Sequence, residues 1–177
     1  NGMGVMPIRT DAHLPISVTP ASSPAMQMYI DPLIMQTRAT LGILPSSQYD
    51  HFSEQTKAEL VGQPLTISAR YNRMAYRLEG VQIRCEQGYD ILSDGVTMGA
   101  IQVPGDGQPF VLMADHQPTG GYPKIACLCQ ADLPRFAQMA PGQPFKLSWV
   151  SMDQAMQAWT DLHTQIEQLT PLRGITL

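Results

Sequence analysis

Charge is scarce in this chain: Asp, Glu, Lys and Arg make up 15% of its 177 residues, and the formal net charge is −4. With no basic excess there is no electrostatic footprint for nucleic acid or for an anionic membrane surface. Long hydrophobic runs are missing too. No stretch approaches the roughly 20 apolar residues that span a bilayer, and the N-terminus lacks a charged-then-apolar signal pattern, so the expected location is cytoplasmic. Cysteine is limited to Cys85, Cys127 and Cys129. That odd count, without a CxxC pair or spaced ligands, argues for free core thiols rather than a disulfide frame or zinc site. HExxH and the phosphate-cradling GxxxxGK pattern do not occur either.

Turn formers, by contrast, are plentiful: 14 Gly and 15 Pro punctuate short apolar runs. Such punctuation, one long C-terminal helical pattern and little alternation of strand with helix predict a mainly β barrel or sandwich with a few helices. Thr40 to Leu44 reads as the first strand. A short helix follows from Ser53, the expected N-cap, to Gly62. Further strands are expected at Leu65 to Ser68, at Gly99 to Val103, from Phe110, at Ile125 to Cys129 and at Phe145 to Val150. Asp132 is the expected N-cap of a short helix, and Ser93-Asp94-Gly95 is expected to turn with Gly95 at positive φ and Asp94 capping its own turn. Ser151 and Gln154 have capping-box spacing. Met152, Ala155, Met156, Trp159, Leu162, Ile166 and Leu169 then recur at helical spacing, a stripe that favours core over a partner groove.

The richest chemistry lies between Phe110 and Ala126. Asp115, His116, Gln117, Thr119, Tyr122 and Lys124 crowd one turn together with Gly120 and Gly121, whose backbone freedom suits a binding loop. A plain hairpin tip would use similar residues. A second glycine-rich turn, Pro104-Gly-Asp-Gly-Gln-Pro109, sits at the other end of the strand from Phe110. Upstream, Arg73 and Arg77 offer guanidinium forks for an anion. Arg77 and Glu79 are spaced to pair on one strand face, whereas Arg73 has no local carboxylate.

Three blocks, Asn72-Arg-Met-Ala-Tyr-Arg-Leu-Glu-Gly80, the run from Gly99 to Pro109 and the run from Asp115 to Ala126 with its Gly-Gly-Tyr-Pro-Lys-Ile-Ala, closely resemble the allophanate hydrolase subunit 2 family. That family is also called the biotin-dependent carboxyltransferase or 5-oxoprolinase C-subunit family. The resemblance runs from about Leu41 to the helix after Ser151 and implies a cyclophilin-like β-barrel. Members are normally about twice as long, with two related halves. The implied layout is therefore the end of a preceding half and a linker at 1–39, the barrel domain at 40–170 and a tail at 171–177.

The resemblance further implies a subunit that works with two companion subunits in the ATP-dependent opening of 5-oxoproline to glutamate. A biotin-dependent carboxyltransferase of the urea carboxylase/allophanate hydrolase kind is one alternative, and a regulatory protein that binds a kinase inhibitor is another. The expected catalytic residues are Asp115 and Lys124. Arg73, Tyr76, Gln102, Gln108, Gln117, Thr119, Gly120, Gly121 and Tyr122 are expected to hold a small amide substrate. ATP would be bound in the complex, and biotin would enter only under the carboxyltransferase alternative. The chain departs from the family pattern at Ala75, where Gly is common, at Ser46-Ser47, where Gly-Pro is usual, and at Pro118, which replaces a hydroxyl residue and removes an N–H donor.

Overall fold

The computed structural model describes residues 40–169. The expectations for 1–39 and 171–177 fall outside the described residues. Nine strands and three α-helices follow in the order β1 (Thr40–Pro45), α1 (Glu54–Gly62), β2 (Thr66–Tyr71), β3 (Ala75–Glu79), β4 (Asp94–Gly95), β5 (Ala100–Gln102), β6 (Phe110–Leu112), β7 (Thr119–Gly120), β8 (Lys124–Leu128), α2 (Leu133–Phe136), β9 (Lys146–Trp149) and α3 (Met152–Leu169). Seven strands form one sheet in the order β2-β3-β6-β5-β8-β1-β9, and β4 pairs with β7 separately. The protein is thus mainly β with a few helices, as the turn-rich sequence predicts.

The sheet closes on itself just before its edge strands. Leu65, preceding β2, and Phe145, preceding β9, exchange both backbone hydrogen bonds, at 2.7 and 2.9 Å. This single bridge joins the two ends of the sheet, while β2 and β9 themselves remain its end strands. Leu65 and Phe145 are themselves buried, and with Leu41, Ile43, Ile67, Leu78, Ile101, Val111 and Ile125 they fill the interior. Phe136 of α2 plugs this core, its ring 5.6 Å from that of Phe145 and 5.4 Å from that of Tyr76.

Local signals are reproduced where they are backbone chemistry. Ser53 Oγ accepts from Thr56 N to cap α1. At α3, Ser151 N donates to Gln154 Oε1 and Gln154 N donates to Ser151 Oγ, the reciprocal capping box. The three thiols are free; Cys85 and Cys129 are buried and Cys127 is half-buried. No helix among the described residues is long and apolar enough to cross a membrane.

Four expectations need correction. The stretch after Phe110 does not form a hairpin between neighbours: β5 lies between β6 and β8, so residues 113–123 cross over it. Gly95 has no positive φ, because it is held extended in β4 opposite Thr119. Asp132 does not cap α2 through its side chain; its carboxylate accepts from Gly42 N and Arg135 instead. Finally, the α3 stripe is not core. Met152 and Met156 are 60% and 62% exposed, and Ala155, Trp159 and Leu162 are only partly covered.

Because Phe145 both carries the closing bridge and fills the core, Phe145→Ala should cost about 3–5 kcal/mol in urea unfolding. A loss below about 1 kcal/mol would show that closure does not depend on this side chain.

Candidate functional site

The residues singled out in the sequence divide between the two ends of β6. At its Leu112 end, Arg73 donates twice to Asp115, Nε to Oδ2 at 2.6 Å and Nη2 to Oδ1 at 2.9 Å. The chain fixes this pair by backbone contacts, Asp115 N donating to Arg73 O and Met113 N to Met74 O. Both side chains are exposed, 78% and 49%. The Arg73 hydrogen bonds hold the Asp115 carboxyl below its usual range. Tyr76 lies one strand over, half-buried against Tyr71 and Phe136, its hydroxyl donating to Ala137 O at 3.4 Å. Burial pushes the Tyr76 phenol up.

At the Phe110 end stands a buried polar cluster. Lys124 opens β8 with its side chain only 4% exposed, and its Nζ donates to Asp94 Oδ2 at 3.0 Å. Gln102, which ends β5, is fully buried; its Nε2 donates to Tyr122 O at 3.2 Å, while Oε1 has no partner among the described residues. A β-bulge brings these two side chains together. Ile101 pairs with Ala126, but Gln102 pairs with Lys124, so β8 carries one extra residue, Ile125, at that point. The bulge lets adjacent Lys124 and Ile125 both face inward, a common way of re-aiming a side chain at a site. Side chains opposite each other across antiparallel strands sit roughly 5 Å apart at Cβ.

The cluster is assembled by distant segments. Gln48 clamps Lys124 through its backbone, Gln48 N donating to Lys124 O and Gln48 Oε1 accepting from Lys124 N. Strand β4 exists as two residues, with Asp94 opposite Gly120 of β7. Gly120 supplies space rather than an unusual φ: a Cβ there would lie 2.6 Å from Gln102 Nε2 and would displace that amide. Gly121 O accepts from Ile91 N, which ties the loop down from the other side. The hydrogen bond from Lys124, then that from Gly95 N, hold the Asp94 carboxyl below its usual range.

Asp115 and Lys124, expected to act together, therefore have separate partners. Gln102, Gly120, Tyr122 and Lys124 are brought together; Arg73 and Asp115 form their own pair. Thr119 is exposed in β7, and Gln117 is half-buried, its carbonyl accepting from His116 Nδ1 at 2.6 Å. Gln108 is half-buried in the turn after β5, where its N donates to Asp106 Oδ1. Arg77 does not pair with Glu79: its guanidinium bonds Asp106 instead, because the turn after β5 folds back beside β3. Gln48 and Asp94 were missed. The Asp94-Gly95 dipeptide has a sufficient local explanation as a turn, and Asp94 does accept from Gly95 N at 2.7 Å, but its other oxygen reaches Lys124.

Among the described residues no group of three or more His, Cys, Asp or Glu is placed to hold a metal ion. Lys57, Arg73 and Arg77 are each held by a carboxylate. The GxxxxGK phosphate-loop pattern is absent from the sequence as well, and no triphosphate contact is assigned to these residues. Two clefts, of 580 and 470 Å³, lie along α3, away from the Lys124 cluster.

Comparison with known proteins sets this geometry in a family. Residues 1–149 match the family described as carboxyltransferase domain, subdomain A and B, and the chain belongs to it. The 5-oxoprolinase C-subunit of Escherichia coli (strain K12) is 40% identical over 126 residues, 71% of this chain and 41% of that protein. The protein of the same name from Haemophilus influenzae is 39% identical over 118 residues, 67% of this chain and 38% of that one. The chain thus spans about two fifths of the length of these relatives. In fold, it is similar to the urea amidolyase of K. lactis, with a TM-score of 0.71 and 20% identity over 91% of this chain and 11% of that one.

The buried ammonium creates an asymmetry that can be measured. Lys124→Met removes the charge and leaves Asp94 half-exposed to water, whereas Asp94→Asn leaves the ammonium buried without a counter-charge, so Asp94→Asn should destabilise more. The pH dependence follows from the lowered carboxyl. Its stabilising contribution is complete above the unfolded value near 3.8 and disappears as pH falls through the lower folded value. Melting temperatures of wild type and Asp94→Asn should therefore converge as the pH is lowered below about 4. A gap that stays constant down to about pH 2 would exclude this linkage.

Proposed function

We propose that the chain is part of a subunit that handles a small cyclic amide, 5-oxoproline, for ATP-dependent ring opening to glutamate by a multi-subunit complex. Two relatives near 40% identity are named as 5-oxoprolinase C-subunits, which supports the reaction class. The observation on this chain that carries the reading is a matched deficit of hydrogen bonds. Lys124 Nζ has three donors and one acceptor among the described residues, Asp94. Its strand neighbour Gln102 has a buried Oε1 with no donor among the described residues. A group that presents both a carbonyl oxygen and an N–H fits that deficit, and a lactam is such a group. The ammonium would stabilise charge growing on the amide oxygen, as positioned donors do in acyl transfer, while Gln102 would fix the N–H. Entry requires the loop carrying Tyr122, itself 40% exposed, to swing aside.

Activation by ATP belongs in this reading to companion subunits, and no step is assigned to it on this chain. Asp115 remains a candidate proton acceptor, paired meanwhile with Arg73. The carboxyltransferase description of the family supports a second reading, transfer from carboxybiotin. A ureido group presents the same carbonyl and N–H pair to Lys124 and Gln102.

The test is 5-oxoproline-dependent ATP hydrolysis by the full-length protein with its companion subunits. Lys124→Met should lower kcat/KM roughly 100-fold with the fold intact, the scale for losing one charge-stabilising donor, and Gln102→Leu should raise KM. Turnover unchanged by Lys124→Met would refute the assigned role, and an equal loss in Asp115→Asn alone would move the chemistry to the other end of β6. A wild-type complex that ignores 5-oxoproline but accepts carboxybiotin would establish the second reading.

A further inference from the structure

Strand β8 meets irregular neighbours on both sides at Lys124. Toward β5 the register slips at Ile125. Toward β1 the ladder runs regularly from Ile43 opposite Leu128 to Pro45 opposite Ala126, and Ser46 N donates to Ile125 O. The next bond skips Ser47: Gln48 N donates to Lys124 O at 3.3 Å. A regular antiparallel pair would return the bond from Lys124 N to the Gln48 carbonyl. That carbonyl is turned into the 3-10 turn Tyr49–His51 instead, accepting from His51 N at 2.9 Å.

The Gln48 side chain stands in for its own backbone. Oε1 accepts from Lys124 N at 3.2 Å and from Ser47 Oγ at 3.1 Å. Two converging donors fix this end of the amide as the oxygen and leave two N–H donors at the other. After the bonds from Lys124 and Gly95 N, the Gln48 amide adds to what holds the Asp94 carboxyl below its usual range. Gln48 is itself held firmly. It follows β1 directly, and the Tyr49 ring next to it packs edge-on against Trp149 at 5.2 Å with the Lys57 ammonium over its face at 3.8 Å.

The geometry points to Gln48 as a positioning residue for Lys124, which keeps the ammonium turned inward and paired with Asp94. The inference rests on the role given to Lys124 above. At a break in the ladder, backbone pairing alone does not set which way a residue faces. The Gln48 amide supplies the missing acceptor from a segment anchored elsewhere in the barrel. Without it, the start of β8 is free to rotate toward water, and Nζ leaves Asp94.

The test follows Lys124 by NMR in the ¹⁵N-labelled full-length protein, and turnover in the complex with its companion subunits. Gln48→Met, close in size, removes both the acceptor and the donors. Lys124 N–H and Nζ protons should then exchange roughly tenfold faster, and the Nζ hydrogen-bond coupling to Asp94 should be lost. The kcat should fall roughly tenfold with KM nearly unchanged, because misplacing a reacting group acts on the chemical step. Gln48→Glu keeps the acceptor oxygen, so protection of Lys124 N–H should return, while the added negative charge makes Asp94 titrate at higher pH. A general loss of stability would not produce that split. Unchanged Nζ exchange and coupling in Gln48→Met would overturn the inference. Should Gln48→Met not fold, Gln48→Glu decides alone: lost Lys124 N–H protection or an unmoved Asp94 titration would overturn it equally. Nζ signals that depend on Gln48, in a complex that ignores 5-oxoproline, would support the positioning and remove only the functional reading.

Discussion

A buried ammonium is the constraint that organises the functional end of this barrel. Placing Lys124 almost out of solvent demands an anion within hydrogen-bond reach, because an uncompensated interior charge costs several kcal/mol. The surrounding architecture meets that demand piece by piece. The bulge at Ile125 turns Lys124 inward, and the two-residue β4 delivers the Asp94 carboxylate. Strand β7 holds β4 in place, and Gly120 leaves the gap in which the Gln102 amide sits. Remove the charge, and β4, β7 and the missing Cβ lose their shared reason.

The same cluster connects stability to chemistry. One acceptor for three ammonium donors and one amide oxygen unpartnered among the described residues form a polar network left incomplete beside a largely apolar core. Incomplete networks are costly unless another group completes them. At the other end of β6 the logic is reversed. Arg73 and Asp115 satisfy each other with two short hydrogen bonds in water, and such exposed pairs contribute little to stability. The two clusters lie beyond opposite ends of β6.

How much of this was legible in the sequence follows from the range of each interaction. The caps of α1 and α3 were readable because both partners lie within four residues. The strands and a mainly β barrel or sandwich followed from alternation and turn residues, the barrel itself only from the family resemblance, and the free thiols from their spacing. Lys124, Gln102 and Gly120 stand among the sequence candidates, yet the reason expected for Gly120 was φ and the reason found is space. Asp94 escaped notice because a local turn accounted for it fully, while its second oxygen acts across 30 residues of chain. Arg77 was matched to Glu79 by strand spacing, but the fold-back of the turn after β5 brings Asp106 instead. The α3 stripe has the periodicity of a core helix; periodicity reports that a face is apolar and not what covers it.

The central claim is that Lys124 is a buried ammonium held by Asp94, and observing its side chain directly tests that most simply. In ¹⁵N-labelled protein, the Lys124 Nζ protons should exchange slowly with water at neutral pH, show a hydrogen-bond coupling to the Asp94 carboxylate, and lose that coupling as acid protonates Asp94. Nζ protons that exchange as fast as those of an exposed lysine, or that ignore Asp94→Asn, would contradict the account.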